Sequence, residues 1–386
     1  MQPEAQSPKW TGHPLWLVGF RPFFPLASLS AALLPLVWMA VFSGKLPPPP
    51  SLPMITWHAH EMFYGFGLAV LGGFLLTASK NWVSVRGHHG RALQLLVAAW
   101  LLERVAVWFS GGSVVFVLAG NLFLVTLIAL VMWTLVRHRE SDSYKDNFLF
   151  LIVLPLFLVA KALLLNPTTF ELGRELTIGL FRMAFVVMLE RTLPPFMKGA
   201  FQLTLPRVFA VDTAIKALAL VLIAGPWLPE TLHRVLSVGL AVLLVTRFAY
   251  WSGHRTLPRL EIAVMYLGGL ALAAELVVSA LSFPWVGALP VHLFTFGTMG
   301  LIIPAMMTRI AKGHTGRKVV FDRFDQAALA LMLVGFVARV VAPQLFPAQY
   351  FTLLWVAAVC WSACFLLITA RITPLVLQPR IDGREH

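Results

Sequence analysis

The sequence is divided into long apolar blocks, which are separated by short charged or Pro- and Gly-rich gaps. A bilayer core of about 30 Å requires about 20 consecutive apolar residues in a helix, and the blocks have that length. A membrane β-barrel would instead show segments of about ten residues with alternating hydrophobicity. In lipid, only helices and closed barrels satisfy the backbone polar groups. The pattern therefore predicts an all-α, polytopic membrane bundle.

We predict about twelve transmembrane helices in a single integral membrane domain, residues 1–386. Only 12% of the residues are charged, against about 25% in a typical soluble protein. The chain also has 29 Phe and 13 Trp, which is far too much apolar surface for a disordered chain. The predicted spans are residues 15–42, 57–79, 92–110, 114–136, 147–166, 174–193, 208–225, 231–251, 260–281, 291–311, 325–343 and 350–371.

Basic residues concentrate in alternate gaps, beginning with the gap after the second span, while the intervening gaps hold little charge beyond Lys45. The basic gaps contain Lys80, Arg86, Arg91, Arg137, Arg139, Lys145, Lys198, Arg207, Arg255, Arg259, Lys312, Arg317, Lys318 and Arg323. Cytoplasmic loops of membrane proteins carry such an excess of Lys and Arg. Both termini are therefore predicted to be cytoplasmic, and the net charge of +13 requires no nucleic-acid partner.

Several ionisable residues lie inside the predicted spans, where each costs roughly 2.5–3.5 kcal/mol at the bilayer centre on the insertion scale. These residues are Arg21, Glu103, Arg104, Lys161, Arg182, Asp212, Lys216, Arg247, Glu275, Arg309 and Arg339. One interpretation is that they neutralise each other within the bundle. The other is that some of the arginines bind anionic groups of a buried cofactor, such as haem propionates, through bidentate hydrogen bonds.

Three histidines open even-numbered spans and are therefore expected at the outer end of the bundle: His58, His60 and His292. Residues two apart on a regular helix differ by about 200° in direction, so His58 and His60 cannot easily bind one metal. Either they serve two neighbouring sites, or one is a ligand while the other makes a hydrogen bond. Glu61 shares a face with His58 and either orients that imidazole or is itself a ligand. We predict a metal site formed from His58, His60, Glu61 and His292. The alternative is that these histidines only satisfy polar contacts.

His314 is placed at the opposite, cytoplasmic end of the tenth span, 22 residues after His292. That separation is about 33 Å along a helix, which is too far for the two imidazoles to ligate one haem iron. His13 precedes the first span on the same side and is a candidate partner for His314. Two cofactor sites at opposite faces are therefore possible on this pattern.

Four separated motifs resemble the NnrS family, in order and across essentially the whole chain. They are Gly19-Phe20-Arg21-Pro22-Phe23-Phe24, Trp57-His58-Ala59-His60-Glu61-Met62-Phe63-Tyr64-Gly65-Phe66, Arg191 with Leu193-Pro194-Pro195-Phe196, and Met307-Thr308-Arg309 followed by Gly313-His314-Thr315-Gly316-Arg317. The resemblance implies a multi-pass protein of the bacterial inner membrane that carries haem and copper. It also implies a link to nitric oxide metabolism, through denitrification or resistance to nitrosative stress.

The main hypothesis is a membrane haem protein, with haem of the b type. Copper as a further metal is implied by the resemblance alone. The candidate cofactor contacts are His58, His60, His292, His314 and His13, with Arg21, Arg182, Arg191 and Arg309 for propionate groups. Nitric oxide is the expected small ligand and the bilayer the surrounding medium. Two alternatives remain open: a redox enzyme that consumes nitric oxide, with an electron donor that the sequence does not identify, and a membrane transporter.

Overall fold

The computed structural model describes residues 11–110 and 113–385, and within these ranges the chain forms helices and no β-strand. The long helices are α1 Phe20–Phe42, α2 Met54–Trp82, α3 Arg91–Phe109, α4 Val114–Arg137, α5 Lys145–Leu165, α6 Phe170–Phe201, α7 Phe209–Trp227, α8 Glu230–Tyr250, α9 Leu260–Leu281, α10 Leu289–His314, α11 Arg323–Leu345 and α12 Pro347–Val376. In the described part of the chain, eleven of them are long and apolar enough to cross a membrane. The predicted all-α, polytopic membrane fold is confirmed.

The remaining long helix, α6, differs from the others in its charge. It has 32 residues and a length of about 48 Å, more than a bilayer core requires. Its sequence includes Arg174, Arg182, Glu190 and Arg191, so its composition alone does not identify it as a span. Much of the helix is nevertheless buried within the bundle. Such residues are tolerated inside a membrane protein where they face partners or a cavity.

Helices α1 and α12, the first and the last of the long helices, pack side by side. The indole of Trp361 donates a hydrogen bond to the carbonyl of Ala31 at 3.0 Å. At the start of α1, Nη1 of Arg21 donates to the carbonyls of Val376 and Gln378 at 2.7 and 2.8 Å. The start of α1 and the end of α12 therefore lie on the same side, as an even number of spans requires. That this side is cytoplasmic stays a prediction.

Three of the helices contain a π-helical turn near one end of the bundle. The turns are Glu61–Gly67 in α2, Leu293–Met299 in α10 and Val337–Val341 in α11. Turns of this kind are rare and occur frequently at functional sites. The first two directly follow His60 and His292, and the third contains Arg339. This end of the bundle therefore combines irregular helix geometry with the histidines that the sequence singles out.

Candidate functional site at the outer end of the bundle

A cavity of about 270 Å³ lies among α1, α2, α6, α10, α11 and α12. We call it the outer cavity, and its end of the bundle the outer end, after the predicted orientation of the chain. Its walls are mainly aliphatic and aromatic side chains, such as Phe42, Phe63 and Trp361. Its imidazole and charged lining groups are His58, His292, Arg174 and Arg339. A concave, largely apolar site with a few convergent polar groups is the usual form of a ligand-binding or cofactor-binding site.

The ring of His292 is held in one orientation by its own helix. Its Nδ1 lies 2.8 Å from the carbonyl oxygen of Ala288. Because a carbonyl can only accept, Nδ1 carries the proton and donates it, which leaves Nε2 unprotonated in the neutral ring. Metal-binding histidines are commonly fixed in this way, with one ring nitrogen bound to a carbonyl and the other turned to the metal.

The guanidinium of Arg339 rests against the same imidazole. Its Nη2 lies 3.2 Å from Nδ1 and 3.1 Å from Nε2 of His292. Since these two distances are nearly equal, the guanidinium lies over the face of the ring and not along the lone pair in its plane. Arg339 therefore brings a positive charge into the outer cavity without occupying Nε2 through an aligned hydrogen bond.

His58 lies in the wall of the outer cavity with its ring stacked on Trp38. The ring centroids are 4.2 Å apart and the planes differ by 25°. Within residues 11–110 and 113–385, neither ring nitrogen of His58 has a hydrogen-bond partner. Its imidazole is oriented by packing alone, so both nitrogens remain available to a ligand.

His60 lies in a different environment from His58, as their spacing on α2 predicts. Its side chain is fully buried, with Nδ1 3.0 Å from Oε1 of Glu61 and Nε2 3.3 Å from Oε1 of Glu103. Arg104 bridges the same two carboxylates, at 3.4 Å from Glu61 and 3.0 Å from Glu103. Lys161 also binds Glu103. We call these five residues the buried ion network.

Local sequence explains how the buried ion network fits between helices. Gly65 lies beside Arg104, and a Cβ at this position would collide with Nη1 of that arginine and lie 3.0 Å from Oε2 of Glu61. Lys161, on α5, also donates to the carbonyl of Gly120 on α4. The glycine in the Tyr64-Gly65-Phe66 motif is therefore required for the close approach of α3 to α2.

The structure thus divides the four residues of the predicted outer metal site. His58 and His292 face one cavity, whereas His60 and Glu61 belong to the buried ion network. Among the described residues, no group of three or more His, Cys, Asp or Glu side chains is arranged to hold a metal ion. A metal role for His60 and Glu61 stays a prediction.

The four arginines predicted for propionate contacts do not line the outer cavity. Nη2 of Arg182 lies 3.0 Å from both carboxylate oxygens of Glu275, and Arg21 donates to the carbonyls at the end of α12. Arg191 donates to Asp146 at 2.7 Å. Arg309 lies over the ring of Phe196, 3.8 Å from its centroid. Their assignment to a cofactor stays a prediction.

Sequence reasoning missed Arg174 and Arg339 as residues of this site. Arg174 lies near the start of an even-numbered helix and Arg339 near the end of an odd-numbered one, so both belong at the outer end. The same rule of alternating direction that placed His58 and His292 there would have selected these two arginines. It would also have placed Arg309 at the opposite end.

His314 lines a separate pocket of about 200 Å³ at the other end of α10, and we call it the inner pocket. Asn81 and Thr77 of α2 also line it. The ring of His314 lies 5.5 Å from that of Phe20. His13 accepts a hydrogen bond from the backbone N–H of Leu15 at 3.2 Å, which caps a short turn before α1. The predicted separation of His314 from the outer histidines is therefore observed.

Comparison with known proteins identifies the family of the chain. The sequence pattern of the family described as NnrS protein matches residues 14–380. The chain belongs to the NnrS family. The match covers nearly the whole chain, so the outer cavity, the buried ion network and the inner pocket all lie within the NnrS region. A search of curated proteins finds no match. Membership of the NnrS family supports a membrane protein related to nitric oxide at the level of the family.

Proposed function

We propose that this NnrS protein binds a b-type haem in the outer cavity and uses it in the bacterial response to nitric oxide. The response would be resistance to nitrosative stress or support of denitrification, in the cytoplasmic membrane. The residues that would hold its iron are His58 on α2 and His292 on α10. Covalent attachment of haem requires a Cys-x-x-Cys-His motif, and the two cysteines of this sequence, Cys360 and Cys364, do not form one.

One observation carries the proposal: the Nδ1–H of His292 is fixed on the carbonyl of Ala288, so that the cavity-lining ring keeps an unprotonated Nε2. A second imidazole, that of His58, lines the same cavity. Haem brings four nitrogen ligands of its own, so two histidines are sufficient protein ligands. When bound, the group would supply an iron that binds nitric oxide in place of one of the two histidines.

The remaining lining of the outer cavity fits an amphipathic group of this kind. Apolar walls that include Phe63 and Trp361 suit a porphyrin, whose ring is hydrophobic. Two cationic side chains, Arg174 and Arg339, are available for its two propionates. Arg174 is paired with Glu171 and Arg339 rests on His292, so both guanidinium groups would have to turn to reach propionates.

The two proposed ligands differ in how firmly the protein orients them. His292 is held by a hydrogen bond, while His58 is held only by stacking on Trp38. We therefore expect His292 to keep its position and His58 to be the more easily moved ligand. Copper finds less support, because the described residues offer no three-ligand cluster.

The test is the optical spectrum of the purified full-length protein after expression with haem supplied, in the oxidised and the reduced state. A Soret band, with one haem per protein by chemical analysis and a shift when nitric oxide is added, is the expected result. Colourless protein that is monodisperse and folded would overturn the proposal. Metal analysis of the same sample decides whether copper is bound.

A redox enzyme that consumes nitric oxide is a second candidate, favoured by one observation. The buried ion network begins at His60, two residues after the proposed ligand His58, and contains two carboxylates, the type of group from which proton relays inside membranes are built. Steady-state consumption of nitric oxide with an artificial reductant would support this enzyme. Binding without turnover would leave the sensing or scavenging role.

A further inference from the structure

A third cavity, of about 70 Å³, lies among α1, α2, α6 and α10, about halfway along α2 and α6, and we call it the middle cavity. Part of its lining, including Phe74, Met188 and Thr192, is partly exposed, so the cavity is not sealed from the surface of the bundle. Its lining includes Phe24 of α1, Gly67 of α2, Ala184 of α6 and Met306 of α10. Along α2 the lining residues of the outer cavity, the middle cavity and the inner pocket follow one another in order. Along α10 they do the same. The three spaces therefore form a series from one end of the bundle to the other.

The middle cavity has almost no polar surface to offer. Thr192 contributes a hydroxyl to the lining, and that hydroxyl donates to the carbonyl of Met188 on its own helix at 2.7 Å. A water molecule needs about 10–15 Å³ of such space and two to four polar partners. The cavity is several times larger than this but lacks the partners, so a water molecule would gain few hydrogen bonds by entering it.

The middle cavity and the inner pocket are neighbours without a complete wall between them. They share the lining residues Phe74, Thr192, Met306 and Ile310. The inner pocket carries polar side chains, including Asn81 and His314, whereas the middle cavity does not. An uncharged molecule entering from the inner pocket would therefore leave its polar surroundings within one helical turn.

A thin wall separates the middle cavity from the outer cavity. Phe63 lines the outer cavity and Phe181 lines the middle cavity, and their ring centroids are 5.7 Å apart. Gly67 completes the wall: a Cβ at this position would lie 2.9 Å from Cζ of Phe181 and 3.1 Å from Cε of Met299. The π-helical turns of α2 and α10 end at Gly67 and Met299. The wall is one layer of side chains, and the thioether of Met299 is flexible.

We propose that the middle cavity binds a small uncharged gas molecule and passes it between the inner pocket and the outer cavity through the wall of Phe63, Phe181 and Met299. The apolar lining excludes hydrated ions, which would lose their water without gaining partners. A diatomic gas loses little on leaving water and needs only space. The gas class follows from the cavity, and its identity as nitric oxide rests on the proposed function.

Xenon is a suitable probe because it is apolar, inert and visible in diffraction, and apolar cavities of this kind bind it. We expect crystals of the full-length protein under xenon pressure to show an atom in the middle cavity. Ala184→Phe should fill the cavity and abolish that peak. Ala129→Phe, at an exposed alanine of α4, is the matched control and should leave it unchanged. If Ala184→Phe does not fold, Ala184→Leu should reduce the occupancy several-fold.

A middle cavity of the wild-type protein that holds ordered water, or that stays empty under xenon, would overturn the inference. Equal xenon occupancy in Ala184→Phe and wild type would do the same. The result does not depend on haem, so it is separable from the proposed function. Colourless protein with xenon in the middle cavity would leave the gas site in place, whereas haem-containing protein without xenon would remove the gas site only.

Discussion

Two histidines that are two residues apart on α2 lie in different environments, one at a cavity and the other among buried charges. His58 lines the outer cavity, stacks on Trp38 and has no hydrogen-bond partner among the described residues. His60 is fully buried between Glu61 and Glu103. The angular separation of about 200° for such a pair sends one ring towards the cavity and the other between α2, α3 and α5.

The comparison teaches that burial of ionisable groups is not by itself a sign of function. In the buried ion network, two carboxylates face two cationic side chains, Arg104 and Lys161, so the charges balance. The outer cavity instead contains two arginines, and among the described residues Arg339 has no carboxylate partner: its guanidinium lies against the imidazole of His292 and also interacts with Tyr350. A positive charge without a carboxylate partner, beside imidazoles that line the same cavity, is suited to binding a cofactor that carries carboxylate groups.

Loss of a ligand histidine should give the largest effect. His292→Ala removes the oriented imidazole, so the haem content should fall at least ~10-fold. Removal of a residue that only supports a metal ligand already lowers affinity by ~10- to 100-fold, and loss of the ligand itself should cost no less. His60→Asn should keep the Soret band, because that ring belongs to the buried ion network. The measurement is haem per protein by absorbance, with His254→Ala in an exposed loop as the control. Equal haem content in the His292 and His254 variants would mean that the outer cavity does not bind haem through His292.

Breaking the buried ion network should cost stability. Glu103→Gln leaves Lys161 and Arg104 without their shared carboxylate, and removing one partner of a buried pair typically costs ~3–5 kcal/mol. Thermal unfolding in detergent should show a clearly lower midpoint, while haem content in the folded fraction stays near wild type. Glu230→Gln breaks an exposed pair with Arg234 and should change stability by about 1 kcal/mol at most. A Glu103 variant as stable as the Glu230 variant would show that the network is not needed for folding.

A smaller effect is expected at the cationic side of the outer cavity. Arg339→Gln keeps both imidazoles but removes one of the charge-assisted hydrogen bonds expected for a propionate, each worth ~1.5–3 kcal/mol. Haem should still bind, with an affinity lower by about one to two powers of ten, as measured by transfer to apomyoglobin. Arg323→Gln, at the exposed start of the same helix, is the control. Unchanged haem transfer in Arg339→Gln would mean that Arg339 does not contact the cofactor.

The smallest change in stability is expected when Glu103 and Lys161, which form an ion pair, are replaced together. Glu103→Leu together with Lys161→Met removes both charges of the pair, so neither is left buried without its partner. Replacing a buried ion pair by apolar residues of similar size often leaves the stability unchanged. The double variant should recover most of the stability that either single variant loses, as shown by a double-mutant cycle of unfolding midpoints. A double variant less stable than both singles would contradict a purely structural role for the pair.

The number, order and type of the helices could be read from sequence, because each depends on residues close together in the chain. Apolar blocks of sufficient length identify eleven helices as spans, and α6 was also predicted despite its charges, since residues 174–193 remain largely apolar. The separation of His58 from His60, and of His314 from both, followed from helix geometry. The arginine contacts did not, because they depend on which helices pack together around the outer cavity.

The amino-acid sequence by itself therefore determined a polytopic helical membrane protein with histidines near the ends of two helices. Only the tertiary structure decided that His58 and His292 share a cavity with Arg174 and Arg339, and that His60 joins Glu103 instead. The length and periodicity of the apolar blocks predict which stretches form helices that contact lipid or protein. The π-helical turns and the choice of neighbouring helices rotate side chains towards particular partners, and these depend on packing between residues far apart in the chain.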